Sequence, residues 1–270
     1  NLVTYSEDFS NAVWTKNQAS VTLNSITSPD GTLNASKLIE DSSNNFHRVL
    51  INLTTSISQY SNSVFVKSAG RNFVVLRNTL SGSNINACFD IQNGIITYNG
   101  FSDAKIEEYG NGWYKCSIIE SDTSGGSNQF SIIISDVSVT TNSIPSYQGN
   151  GTSGIYIYGA QLEESSVATS YIPTSGSTVT RLADAVGGAG DVNTINSEEG
   201  VLYAEISALD NIGGKWVSLS NGTTNERLSF AFQGDNIRVF IKTTSGTIWD
   251  YSIAANVFNF NKIAVKFKTS

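Results

Sequence analysis

Apolar and polar residues alternate with a period of two along most of this chain, in short runs separated by turn residues. The runs up to residue 163 are SVTLNSI, ASKLIED, HRVLINL, NSVFVKS, NFVVLRN, NACFDI, GIITYN, AKIEEY, WYKCSIIES, FSIIIS and GIYIYGAQLE. Successive side chains of a strand point to opposite faces, so each run predicts a strand with one buried face. Between them stand Pro29-Asp30-Gly31, Asn93-Gly94, Asn99-Gly100, Gly110-Asn111-Gly112 and Gly125-Gly126, residues that accept the positive φ of tight reversals. Many short strands at near-regular spacing with turn signals predict an all-β sandwich of jelly-roll type. After Tyr171-Ile172-Pro173 the pattern loosens into TSGSTVTRLADAVGGAGDVNT, then strand-like runs return as GVLYAEISAL, KWVSLSNG, RLSFAFQG, NIRVFIKT, TIWDYSIAA and NKIAVKFKTS. The expectation is two β-sandwich modules in tandem: 1–175, a linker over 176–197, and a second module over 198–270. That second stretch is short beside the roughly 100 residues of a closed two-sheet sandwich. It is expected to be incomplete, finished by further sequence or by another chain covering its edge.

Composition strengthens the all-β reading. Hydrophobic residues make up 39% of the chain but charged ones only 14%, against about 25% in ordinary globular domains. Polarity comes from Ser, Thr, Asn and Gly, while strong helix formers are scarce and Met is absent even at position 1, so the sequence reads as a segment of a longer or processed polypeptide. The net charge of −7 and pI near 4.7 oppose binding to nucleic acid or anionic lipid, which require a surplus of Lys and Arg. No window approaches the roughly 20 apolar residues of a membrane-spanning helix, and NLVTYSEDF lacks the basic and apolar regions of a signal peptide. Cys88 and Cys116 sit in strand-like runs, where they read either as small core residues or as a disulfide if their strands are neighbours. With His47 alone they make no convincing zinc set.

Catalytic signals are weak. The acidic pairs Glu7-Asp8, Glu107-Glu108, Glu163-Glu164 and Glu198-Glu199 would point to opposite faces of a strand rather than across a cleft. No GxSxG or HExxH motif is present, and Gly187-Gly188 lacks the strand-to-helix setting of a phosphate cradle. The chain is therefore expected to bind rather than catalyse. Aromatic residues make up 10% of it. Sugar rings present apolar C–H faces that pack on aromatic planes while Asn, Gln, Asp, Arg and Ser bond their hydroxyls; the competing reading is that the same rings fill the core. On residue type and expected exposure, the candidate glycan contacts are Phe46, His47, Arg77 and Tyr98, then Trp113, in the first module, and Trp216 and Trp249 in the second.

Four blocks carry a resemblance: the opening NLVTYSEDFSNAVWTK; Pro29-Asp30-Gly31-Thr32 followed by Ala35-Ser36-Lys37-Leu38; Gly110-Asn111-Gly112-Trp113-Tyr114-Lys115-Cys116; and Gly159-Ala160-Gln161-Leu162-Glu163 running into Ser170-Tyr171-Ile172-Pro173-Thr174 and Thr180-Arg181. Together they resemble a module of bacteriophage tail-fibre and other virion proteins, over about residues 1–185. Gly200 to Ala264 looks like part of a laminin-G or concanavalin-A-like sandwich. The resemblance implies a carbohydrate-binding-module-like jelly roll on a virion or otherwise extracellular. Its implied partners are bacterial surface polysaccharide, other virion proteins and further copies of itself, with a trimer favoured. It also implies a structural calcium, for which Glu7, Asp8, Gln161 and Glu163 could supply oxygen ligands. Two rivals are a spacer or adaptor in a fibre or baseplate that binds no sugar, and a depolymerase or lyase fragment.

Overall fold

Strands form where the sequence alternates, and their apolar rows decide how the sheets meet. The computed structural model describes residues 1–80, 83–181, 196 and 198–268. The chain divides into two compact units, Asn1–Leu182 and Ala183–Ser270. Of the expected linker, residues 182–195 and 197, with Gly187-Gly188, lie outside the described residues. The fold is all-β: 59% strand, with no helix and no closed barrel among the described residues.

The first unit begins with β1 (Trp14–Asn17), β2 (Ala19–Ile26), β3 (Ala35–Glu40), β4 (Asn44–Asn45), β5 (His47–Thr55), β6 (Ser58–Ala69) and β7 (Phe73–Leu80). It continues with β8 (Ser83–Asp90), β9 (Ile95–Asn99), β10 (Asp103–Glu108), β11 (Tyr114–Asp122), β12 (Gly126–Ser135), β13 (Tyr147–Gln148) and β14 (Gly154–Glu163). Two six-stranded antiparallel sheets result, β1-β5-β12-β7-β8-β9 and β10-β11-β6-β14-β3-β2, with β13 and β4 forming a small ribbon. Alternate residues of the first sheet, including Val49, Ile51, Val74, Leu76, Phe89, Phe130, Ile132 and Ile134, meet Leu38, Val64, Val66, Ile118, Ile155 and Ile157 of the second in one buried cluster. Each such side chain contributes about 1.5–3 kcal/mol on leaving water, and the sandwich follows from that pairing of faces.

Strand β1 is one that periodicity does not flag, because it is four residues long and owes its place to Trp14. That ring is 1% exposed, packs 5.0 Å from Phe9 and donates its Nε1 hydrogen to the Tyr5 carbonyl at 2.8 Å. The blocks that carry the family resemblance serve as lacing. Leu2 N–H donates to Leu162 O, Ala160 N–H to Ser6 O and Gly176 N–H to Thr4 O, while Thr174 Oγ1 donates to Val3 O at 2.6 Å. In the Gly110-Asn111-Gly112 turn, φ values of 75°, 52° and 77° run through the left-handed region that Gly and Asn tolerate. The turn closes with Trp113 N–H donating to Gly110 O at 2.9 Å. Both cysteines are free and buried, Cys116 in the core between the sheets and Cys88 on the other side of the first sheet. This decides for the core-thiol alternative.

The second unit comprises β15 (Glu199–Ile206), β16 (Gly214–Ser220), β17 (Arg227–Gln233), β18 (Asn236–Thr243), β19 (Gly246–Ala254) and β20 (Asn261–Lys268). A four-stranded sheet β16-β17-β18-β19 faces a two-stranded sheet β15-β20 across a core of Phe230, Phe232, Ile237, Val239, Val257 and Ile263. Two strands cannot cover four: on the edge strand β19, Trp249, Tyr251 and Ile253 are 45%, 52% and 52% exposed.

Candidate functional site

The register of the first sheet assembles a polar face on the side away from the core. Leu50 pairs with Ser131, Ser131 with Arg77, and Arg77 with Asn86. One rung along, Arg48 pairs with Ile133, Ile133 with Val75, Val75 with Cys88, and Cys88 with Tyr98. On the other side lie Asn52, Gln129, Thr79 and Asn84. The apolar members of this face, Val75, Cys88 and Ile133, are covered by Val139 and Ile144 of the β12–β13 connection, with Phe46, Phe73 and Tyr98 packed around them.

Two guanidinium groups stand on this face. Arg77 Nε donates to Asn86 Oδ1 at 2.7 Å, and its guanidinium carbon lies 5.8 Å from the centre of the Phe46 ring, within cation–π range. Asn86 is fully buried and is itself held by its amide donating to Asn142 O at 2.6 Å and Asn142 Oδ1 at 3.0 Å. Arg48 Nε donates to Asn17 Oδ1 at 3.3 Å. Burial lowers the pKa of both, and the charge of Arg48 lowers Arg77 further. Neither guanidinium has a carboxylate within ion-pair distance among the described residues.

A buried ionic network holds the far end of the covering connection. Glu40, fully buried, takes a bidentate pair from Arg71 at 2.8 and 2.6 Å. It also accepts Tyr147 Oη–H at 2.6 Å and Asn150 N–H at 2.9 Å. The Arg71 guanidinium lies over the Tyr147 ring at 5.3 Å.

Among the expected glycan contacts, the structure gathers Phe46, Arg77 and Tyr98 on this face. His47 requires correction: it is 0% exposed, points to the core side opposite Ile134, and its Nδ1 donates to the Gln18 carbonyl at 2.7 Å. A ring so placed cannot reach a sugar. Trp113 is also corrected: it is 2% exposed, packs with Ala35, Phe65 and Tyr158 on the other sheet, and spends its Nε1 hydrogen on Thr27 O at 3.2 Å. It floors a groove of about 260 Å³ lined also by Thr27, Ser28, Lys67, Tyr109 and Asn111, but Lys67 Nζ is engaged by Asn111 O at 2.6 Å. The groove's lysine is thus held by a neighbouring carbonyl, whereas the terminal guanidinium nitrogens of Arg48 and Arg77 have no hydrogen-bond partner among the described residues. Arg48, Asn86 and Asn142 were not foreseen; Arg48 stands in the run HRVLINL, but only pairing across β12 brings it near Arg77.

In the second unit Trp216 and Trp249 lie on opposite faces of one sheet. Trp216, 43% exposed, stands edge-on to Phe240 at 5.3 Å with Arg227 over it at 5.6 Å. Trp249 stacks on Tyr251 at 5.9 Å and 14°, so the two tryptophans cannot grip one ligand together.

The four expected calcium ligands do not come together. Glu7 accepts the hydroxyls of Tyr171 and Tyr158 at 2.9 and 3.2 Å, and Asp8 caps Ser10 and Asn11. Gln161 accepts Ile172 N–H at 2.7 Å, and Glu163 is tied to Thr169. Among the described residues no group of three or more His, Cys, Asp or Glu is placed to hold a metal. Each of the four side chains instead takes part in hydrogen bonds within the protein.

Against known proteins, no family model matches the chain and no curated protein matches its sequence. What it does must be argued from the face itself.

Proposed function

We propose that the chain is a virion-associated recognition protein that binds bacterial surface glycans without transforming them. The observation that carries this reading is the outer face of the first sheet, where a partly buried aromatic ring, Phe46, stands beside the partly buried Arg77 guanidinium, itself held by the buried Asn86 amide. Apolar planes and fixed donors in one place are what a saccharide requires. A shallow site suffices when the protein is repeated on a particle, because linked copies raise avidity without new contacts. The test is a glycan array together with whole capsular polysaccharides, applied to the purified chain while polymer length is monitored. Selective binding without shortening is expected. No binding by correctly folded protein would end the recognition reading, and shortened polymer would end the non-catalytic one.

A second reading, a spacer or adaptor within a fibre or baseplate, is favoured by the exposed row Trp249, Tyr251 and Ile253 on the edge strand β19. An unpaired edge with apolar side chains invites another chain. Sedimentation of the native chain beside a Trp249→Ser/Tyr251→Ser variant distinguishes it: equal monomers would remove this support.

A further inference from the structure

We infer that Arg48 and Arg77 form a subsite for an acidic saccharide, one whose ring carries a carboxylate or a comparable anionic group. The inference rests on the glycan-recognition reading and narrows its substrate class.

Charge balance comes first. The chain holds 23 acidic residues against 16 Lys and Arg, so carboxylates are in surplus, and Arg71 and Arg238 have taken bidentate partners from them. Among the described residues Arg48 and Arg77 have not, although both lie on one face of one sheet, on β5 and β7 either side of β12 and one rung apart along it. Two like charges, each partly removed from water, destabilise one another. An anion arriving between them relieves both terms, and it does so with the charge-assisted bonds that guanidinium groups make best.

Preorganisation comes second. Each Nε is already committed, to Asn86 Oδ1 in one case and Asn17 Oδ1 in the other, which leaves the two terminal nitrogens of each fork for a ligand. Phe46 lies against Arg77, and the buried Asn86 is locked by Asn142. The side-chain entropy a ligand would otherwise have to remove is thus already spent in folding. The Phe46 plane next to the charge suits a sugar ring that carries the anion, more than a free inorganic ion.

The rival explanation is that the arginine stems merely cover Leu50 and Ile133, which are buried on that face, while the charged heads reach water. Arg→Met keeps the stem and removes the charge, so it separates the two. The full chain and its Arg48→Met and Arg77→Met variants would be titrated with polygalacturonate, alginate and polysialate oligosaccharides, with their carboxyl-reduced counterparts, with a sulfated polysaccharide and with neutral dextran. Thermal melting is run alongside. Expected is binding to at least one carboxylated polymer, loss on carboxyl reduction, and weakening of about tenfold or more in each variant, with the melting temperature unchanged in Arg48→Met and lowered in Arg77→Met, which leaves the buried Asn86 Oδ1 without its donor but should remain folded at the binding temperature. Binding to the sulfated polymer alone, with the same arginine dependence, would keep the subsite and assign it a sulfate. Neutral or reduced polymers binding as well as acidic ones, or variants that bind normally, would overturn the inference and leave glycan recognition standing. Failure of every saccharide would overturn both.

Discussion

Replacing Arg71 by Met removes one half of the buried pair with Glu40 and leaves the other half in place. The Glu40 side chain is 0% and that of Arg71 21% exposed, so water cannot substitute for the lost guanidinium. Removing one partner of a buried ion pair costs about 3–5 kcal/mol. Here Tyr147 Oη–H and Asn150 N–H still donate to the carboxylate, which places the expected loss near about 3 kcal/mol. At about 2–4 °C per kcal/mol for a unit of this size, the first unit should melt roughly 6–12 °C lower. Differential scanning calorimetry of the whole chain reads this as a shift of one transition, and the Glu40→Gln/Arg71→Met double variant should recover part of it because no charge is then stranded. The effect should extend to the outer face of the first sheet. Tyr147 ends the β12–β13 connection, and that connection supplies Asn142 to Asn86 and hence orients Arg77. A single variant that melts within about 2 °C of the native chain would refute the reasoning, since Glu40 would then be shown to need no counter-charge.

Acid should destabilise the first unit through Asp122. Burial pushes this carboxyl up, but hydrogen bonds from Thr55, Gly125, Ser124 and Asn128 outweigh it and hold the pKa at about 2, below the ordinary 3.8. The folded value lies below the unfolded one, so the contribution is complete above about pH 4 and is lost as pH falls towards 2; it amounts to about 2 kcal/mol. Urea midpoints at pH 6 and pH 2.5 should differ by less in Asp122→Asn than in the native chain, and equal differences would contradict the assignment. The thiols give a separate check. Burial raises the pKa of both Cys88 and Cys116, so neither should react with Ellman's reagent until denaturant is added, when two equivalents per chain should appear. Prompt labelling of the native protein would show that one of these strands opens.

The strands were legible because their signal is local. SVFVKS puts Val64 and Val66 on the core side and FSIIIS does the same for Phe130, Ile132 and Ile134, and each run carries its own period of two. The strands of the second unit were legible for the same reason, each run there also carrying its own alternation. Strand β1 and the short ribbon were not, since Trp14, Asn44-Asn45 and Tyr147-Gln148 are positioned by distant partners. The residue type of His47 suggested a ligand contact, and what decides against it is the parity of its position in β5. His47 shares the core-facing row with Val49 and Ile51, whereas Arg48 belongs to the opposite row. A shift of one residue in register would exchange them.

The same distinction explains why the most recognisable motifs are not the candidate site. NLVTYSEDF, GAQLE and SYIPT meet at the closure of the first unit, and their polar atoms bond one another: Ser6 Oγ with Tyr171 Oη at 2.6 Å, Glu7 with the Tyr158 and Tyr171 hydroxyls, and Gln161 with Ile172 N–H. GNGWYKC closes a turn and buries its tryptophan. Each of these groups has its hydrogen bonds satisfied internally and offers little to a ligand. Arg48 and Arg77 belong to no motif, and what marks them is an imbalance that emerges only after folding: two charges brought to one face by strand pairing, held by amides and without a counter-ion among the described residues, in a chain that has carboxylates to spare. In a sandwich whose sequence blocks maintain the scaffold, variation on the outer sheet face can change the ligand without disturbing closure. Function there is expected to reside in residues that the fold leaves unsatisfied.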